Sequence, residues 1–231
     1  YYTLSVYEMF CVQYADYYHR IDLALNTDSD QVLEQCRNTG IRFEYIRRED
    51  RLGGDKVAKA DVIADTLLKM EAKTGNHYDV VLDLDLTSPL RTVEDVAGCL
   101  NQLSGNPEMT VVYSVTNARR LPYFNMVLLN QGGYAERVIK GKYLTRQEAP
   151  QCFDMNASIY AYRREPLLEN KQNSIFDGNA GIWMMRDTAV LDIDSEEDFE
   201  LMQVVAQYFF DHYEEFGRVR DNLKKFVMVD E

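Results

Sequence analysis

An α/β sandwich with a mostly parallel sheet is the fold this sequence predicts, on three observations. Short apolar runs alternate with segments of helical period, the joints between them are short and polar, and no internal repeat or Gly/Ser-rich linker divides the chain. With 46% apolar and 27% charged side chains over 231 residues, the chain can bury a sizeable core.

Each element follows in order. Leu4, Tyr7, Cys11, Tyr14 and Tyr18 recur at spacings of three and four, which predicts an opening helix with those side chains on one face. Ile21 to Asn26 reads as a strand, and Thr27-Asp28-Ser29 as the N-cap of a helix that stops at Gly40. Phe43 to Arg47 is the next strand. After a turn at Gly53-Gly54-Asp55, Val57, Ala60, Ile63, Ala64, Leu67 and Met70 mark a long amphipathic helix ending near Gly75. Asp79 to Leu86 is a strand rich in branched residues, and Thr92 with Asp95 forms a capping box for a helix through Leu103.

Thr110 to Val115 is a further strand, and then the alternation breaks. From Arg119 to Phe153 the chain is rich in Gly, Asn, Gln and Arg, with short strands at Met126 to Asn130 and Glu136 to Ile139. This stretch reads as an arm, so residues 1–118 and 154–231 are expected to form the core and 119–153 the insertion. The alternation resumes with strands at Ala157 to Tyr162, Ile182 to Met185 and Val190 to Asp194, and a short helix at Glu165 to Leu168. Ser195, with Asp198 three positions on, caps a long helix whose Phe199, Met202, Val205, Ala206 and Phe209 face the core. The tail from Phe216 reads as short and mixed.

Several functions are excluded early. The chain carries 38 acidic against 25 basic side chains, a formal charge of -13, which argues against a nucleic-acid partner, whose affinity rests on Lys and Arg. No apolar run exceeds four residues, so neither a spanning helix nor a secretory signal is expected, and the chain reads as cytoplasmic with no membrane partner. Cys11, Cys36, Cys99 and Cys152 lie far apart, and His19, His77 and His212 lack metal-ligand or nucleophile spacing. No chemistry is assigned to them.

Two D-x-D pairs stand out, Asp83/Asp85 and Asp192/Asp194. Alternate strand residues share a face, so each pair projects two carboxylates together, hard ligands suited to Mg²⁺ alongside substrate phosphates. Helix-capping or solvated acids at a strand end are the plainer alternative. Three further stretches accompany them: TSPLR at Thr87 to Arg91, RQEAPQCF at Arg146 to Phe153, and NASIY at Asn156 to Tyr160. Taken singly, Pro89 is a turn residue, Arg91 a loop cation and Tyr160 a strand aromatic.

In this order, together with LALNTDSDQVLEQC, RLGGDKVAKADVI and the D-I-D before an acidic helix start, these stretches resemble the CMP-N-acylneuraminate cytidylyltransferases, or CMP-sialic acid synthetases. The resemblance covers nearly the whole chain. It implies a Rossmann-like α/β/α domain, a homodimer joined by the arm, and transfer of CMP from CTP to the anomeric hydroxyl of a nonulosonic acid with release of pyrophosphate. It further implies Mg²⁺ held by Asp192 and Asp194 as the catalytic carboxylates. Arg48 is implied near the cytosine, and Lys59 and Asp85, which depart from the family, are expected on the nucleotide side, with a surface role for Lys59 and metal binding or a shifted sugar preference for Asp85 as the alternatives. Arg146, Gln147, Asn156, Tyr160 and Phe176 are implied around the sugar acid.

The departures matter too. Where the family has a glutamine before TSPLR, this chain has Asp85, an acceptor only when ionised, which repels an anionic sugar unless a second metal or a cation intervenes. Ala58 and Lys59 replace a hydroxyl pair, and Pro122-Tyr123-Phe124-Asn125 lacks a lysine common near there, which keeps relatives such as legionaminate as candidate substrates. The family's first strand and triphosphate loop have no counterpart before Tyr1, so the resemblance implies that about 20 residues precede it in the native chain. The rival readings are a GT-A type glycosyltransferase, which leaves TSPLR and NASIY unexplained, and a nucleotide-binding homologue that has lost catalysis.

Overall fold

The computed structural model describes residues 1–54, 57–169, 176 and 178–227. Asp55 of the expected turn lies outside them. Seven helices and eight strands are described: α1 (Tyr2–Gln13), β1 (Ala24–Thr27), α2 (Asp30–Arg37), β2 (Glu44–Arg47), α3 (Lys59–Thr74), β3 (Val80–Leu84), α4 (Val93–Gly105), β4 (Val111–Asn117), β5 (Val127–Leu129), β6 (Ala135–Arg137), β7 (Phe153–Arg163), α5 (Arg164–Glu169), β8 (Ala180–Met184), α6 (Glu196–His212) and α7 (Glu214–Val227).

The central sheet has the order β3-β7-β4-β8. Strands β3, β4 and β8 run one way, and β7 runs against both neighbours, so the sheet is mixed with a parallel majority. Strands β1 and β2 pair in parallel beside it. Strand alternation divides the core into two faces. Val112 of β4 and Ile159 and Ala161 of β7 pack with α4, α1 and Val219 of α7. Val111, Tyr113 and Val115, with Tyr160 and Tyr162, pack on the other face with Ile63, Ala64 and Leu67 of α3. The three-layer sandwich expected from the alternation is what forms.

Local chemistry places the helix ends. The Thr92/Asp95 capping box is complete, and the other Asp95 oxygen accepts the Trp183 indole N–H at 3.1 Å, tying α4 to β8. Gly98 faces the same ring so closely that a Cβ there would lie 2.3 Å from it. Gly75 ends α3 with φ 72°, and Ser29 and Ser195 cap α2 and α6.

Three expectations are corrected, and α1 shows which side of that helix is buried. In α1 the buried side chains are Thr3, Ser5, Val6 and Phe10, because Ser5 donates to the Val219 carbonyl at 2.8 Å and that side faces α7. The helix is apolar around much of its circumference, so spacing alone does not fix its face. The strand expected over 190–194 is a 3₁₀ turn, Asp187–Val190, followed by an irregular stretch whose Leu191 and Ile193 pack against the cluster of Leu90, Met202, Phe209 and Phe216. The tail is α7, with Glu214 and Glu215 in its first turn and Lys224 and Lys225 in its last, as the helix dipole favours. Phe199 is exposed, while Met202 and Phe209 carry the buried face of α6. The arm holds the hairpin β5-β6.

Candidate active site

The carboxyl end of β3 gathers most of the chemistry. Val81, Asp83 and Asp85 point to the α3 side while Leu82 and Leu84 point to the other, as strand alternation requires. Lys59, at the first position of α3, lies between the two carboxylates. Its Nζ donates to Asp85 Oδ2 at 2.6 Å and sits 2.8 Å from Asp83 Oδ2, the latter an ion pair outside hydrogen-bond alignment. The same ammonium lies 4.7 Å from the centre of the Tyr160 ring. Asp85 Oδ1 accepts from the Thr87 amide and hydroxyl at 3.1 and 3.0 Å. Burial alone raises the Asp85 carboxyl, but Lys59 and Thr87 outweigh it and hold the group below the usual carboxylate range.

Behind this cluster lies Arg91, fully buried. Its Nε donates to Ser158 Oγ at 2.9 Å, and its Nη2 donates to the Ser88 carbonyl at 2.6 Å and to the Asp85 carbonyl. Burial pulls the guanidinium down to about 10, which leaves it charged at neutral pH. Ser158 returns a bond to the Ser88 carbonyl at 2.9 Å. TSPLR is therefore a loop wound around its own arginine and stitched to β7. NASIY supplies the other half: between the pairs Tyr113 with Tyr160 and Val115 with Met155, β7 carries three extra residues, a bulge in which Ala157 has φ 55°. Asn156 holds that bulge. It is buried, accepts from Ser114 Oγ at 2.6 Å, and directs its Nδ2 to Met185 Sδ at 3.3 Å.

The second D-x-D pair reaches the same end of the sheet by a loop. Ile193 N–H donates to the Thr87 carbonyl at 3.0 Å, which sets Asp192 and Asp194 on either side of that anchor. Asp192 Oδ1 accepts from the Ile193 amide, and the exposed Asp194 carboxylate accepts no hydrogen bond from any described residue. Among the described residues no three metal-ligating side chains gather in a cage. Two hard carboxylates, one of them uncommitted, are the donor set Mg²⁺ takes when substrate oxygens complete its shell. The Asp83/Asp85 pair differs, because Lys59 already fills the space between those oxygens.

The remaining expected residues do not all join this cluster. Tyr160 is buried beside Tyr113, whose ring meets Phe176 edge-on at 6.0 Å. Arg146 and Gln147 are exposed at the root of the arm, where Arg146 donates to the Ala118 carbonyl at 2.5 Å. Arg48 turns back to Asn26, donating to its side chain at 3.0 Å and its carbonyl at 3.2 Å. It borders an open groove of about 540 Å³ that reaches Lys69 and Lys73. Lys69 is ten residues from Lys59, about 15 Å along α3, so the groove extends away from the carboxylates. Sequence reasoning overlooked Ser114 and Ser158, which join the motifs, and took Arg91 for a loop cation. Small hydroxyls within a strand carry no spacing signal of their own.

Two relatives match the chain in sequence. The chain is 34% identical over 188 residues to the post-translational flagellin modification protein B of Campylobacter coli, covering 80% of this chain and 77% of that one. It is 36% identical over 181 residues to the CMP-N,N'-diacetyllegionaminic acid synthase of Campylobacter jejuni, covering 78% and 75%. The chain belongs to the CMP-nonulosonic acid synthetases. No protein-family model matches it. Its fold is that of a CMP:2-keto-3-deoxy-manno-octonic acid synthetase solved with CTP, at TM-score 0.57 and 16% identity over 90% of this chain and 88% of the other. For a CMP-nonulosonic acid synthetase, the carboxyl end of β3, beside which the Ile193 bond to Thr87 holds the Asp192/Asp194 loop, is the kind of edge at which α/β folds bind ligands.

Proposed function

We propose that this protein is a cytidylyltransferase that moves CMP from CTP to the anomeric hydroxyl of a diacetyllegionaminate-type nonulosonic acid, releasing pyrophosphate. The observation that carries the reading is the 36% identity to the diacetyllegionaminic acid synthase over three quarters of both chains. N-acetylneuraminate is the weaker substrate in this reading, because Asp85 and Pro122-Tyr123-Phe124-Asn125 depart from the N-acylneuraminate pattern.

Nucleotidyl transfer demands an in-line hydroxyl at the α-phosphorus and neutralisation of a polyanion, so positioning and charge do the work. Asp192 and Asp194 are the residues to hold Mg²⁺, which when bound supplies charge neutralisation at phosphate oxygens. Arg91, Ser88 and Ser158 fix the TSPLR loop against β7, and the Ile193 bond to Thr87 sets the second carboxylate pair relative to the first. Asn156 contributes by shaping the bulge that presents Tyr160. Arg146 and Gln147, exposed at the root of the arm, are the groups to meet the sugar acid, with Arg146 its carboxylate partner. Arg48 is assigned to the base of CTP. A homodimer joined by the arm is part of this reading, supported by the exposed Val127, Leu129 and Tyr134 of the hairpin.

Pyrophosphate release from CTP, measured across a panel of nonulosonic acids, tests the assignment. The expected result is a kcat/KM for diacetyllegionaminate at least tenfold above that for N-acetylneuraminate, about 1.4 kcal/mol of discrimination. A preference for N-acetylneuraminate would overturn the substrate assignment.

A further inference from the structure

Lys59 stands where its own helix disfavours it. It is the first residue of α3, and a cation there meets the positive end of the helix dipole. Ala58, the N-cap, makes no side-chain cap bond, so nothing local calls for a positive charge. A residue that breaks a local rule in this way has its reason elsewhere in the fold. That reason is Asp83 and Asp85, at 2.8 and 2.6 Å, with the Tyr160 ring beneath.

Four charges meet at this point, and Asp95 also acts on the Arg91 guanidinium. Asp83 and Asp85 contribute two negatives, Lys59 one positive, and Arg91, bonded to the Asp85 carbonyl, the other. Removing Lys59 leaves the set net negative at the edge where an anionic substrate arrives. Lys59 is also on the open side, its side chain 39% exposed against 26% for each aspartate. Burial opposes its charge, yet Asp83 and Asp85 hold the ammonium above its usual value, so it stays ionised through neutral pH.

We propose that Lys59 is a built-in counter-ion which neutralises the Asp83/Asp85 pair, takes the place a second divalent cation would fill there, and so admits an anionic sugar acid to the carboxyl end of β3. This rests on the cytidylyltransferase reading above. Lys59 acts through the two carboxylates and is a specificity-determining, positioning residue. The departure at Asp85 and the departure at Lys59 are then one paired change: a neutral amide position becomes a carboxylate with its own cation.

The test is initial-rate kinetics with CTP saturating and diacetyllegionaminate varied, on the wild type, Lys59→Met, Lys59→Arg and the double variant Lys59→Met/Asp85→Asn, each checked for folding by urea denaturation. Lys59→Met is expected to raise the KM for the sugar acid at least tenfold. The defect should shrink as salt rises from about 50 mM to about 500 mM, because screening weakens repulsion but does not repair a damaged fold. The double variant, which restores neutrality, should return KM to within about threefold of wild type, and Lys59→Arg should stay within the same range. An unchanged KM in Lys59→Met, or a defect that survives high salt and is not relieved in the double variant, overturns the proposal. Where Lys59→Met fails to fold, the double variant and Lys59→Arg decide it by the same limits. A wild type that turns over no nonulosonic acid overturns the underlying reading and this inference with it.

Discussion

Arg91 shows how much one buried side chain can organise. It spends its donors on Ser158, on the Ser88 carbonyl and on the Asp85 carbonyl, and the Tyr2 hydroxyl donates to its own carbonyl at 3.1 Å. A guanidinium suits this task because its donors form a fixed planar fork, which an ammonium cannot reproduce. Arg91→Lys should therefore destabilise the protein by about 3 kcal/mol, the usual range for leaving buried polar groups without their partners, read as a lower urea midpoint. A shift below about 0.5 kcal/mol would show that Lys fills the position and that the fork geometry is dispensable. The sequence marked TSPLR and NASIY as belonging together, but not that they touch. Ser158 lies in the β7 bulge and Ser114 faces it from β4, with hydrogen bonds that join segments 42 to 70 residues apart, and pattern reasoning limited to local spacing does not reach that far.

Elements were legible where their ends carry side-chain chemistry. The Thr92/Asp95 box, Ser195 and Gly75 were read from the chain because capping and left-handed turns depend on the residue itself. The stretch 190–194 alternates like a strand in AVLDID, yet Leu191 and Ile193 find their burial against α6 and α7 instead of in a ladder. One element contact gives a pH-dependent stability. Arg164, opening α5, grips Glu71 of α3 with two 2.8 Å bonds, which with the Tyr78 amide hold the Glu71 carboxyl down to about 2 from an ordinary 4.5. A folded value below the unfolded one means that the group stabilises the protein fully above about 4.5, and that this contribution is lost as pH falls toward about 2. The stability gap between wild type and Glu71→Gln in urea should be largest near neutral pH and close across that window. A gap that persists unchanged to the acid limit would remove the ion pair as its source.

At the scale of the whole molecule, the alternation of strands and helices was enough to give the sandwich, and the one strand it could not orient was β7, which follows the arm and returns antiparallel between β3 and β4. That return is what carries NASIY to the TSPLR loop. In the proposed reading the formal charge of -13 is reconciled with a polyanionic substrate locally: Lys59 and Arg91 balance the first carboxylate pair, and the second pair is assigned to Mg²⁺. No described helix is long and apolar enough to cross a membrane. The central claim is nucleotidyl transfer to a nonulosonic acid, and the most direct measurement is the mass spectrum of the product formed from CTP, Mg²⁺ and diacetyllegionaminate. The account predicts a CMP conjugate of the sugar acid appearing in equal amount with pyrophosphate. CTP left intact, or pyrophosphate released without the conjugate, would contradict it.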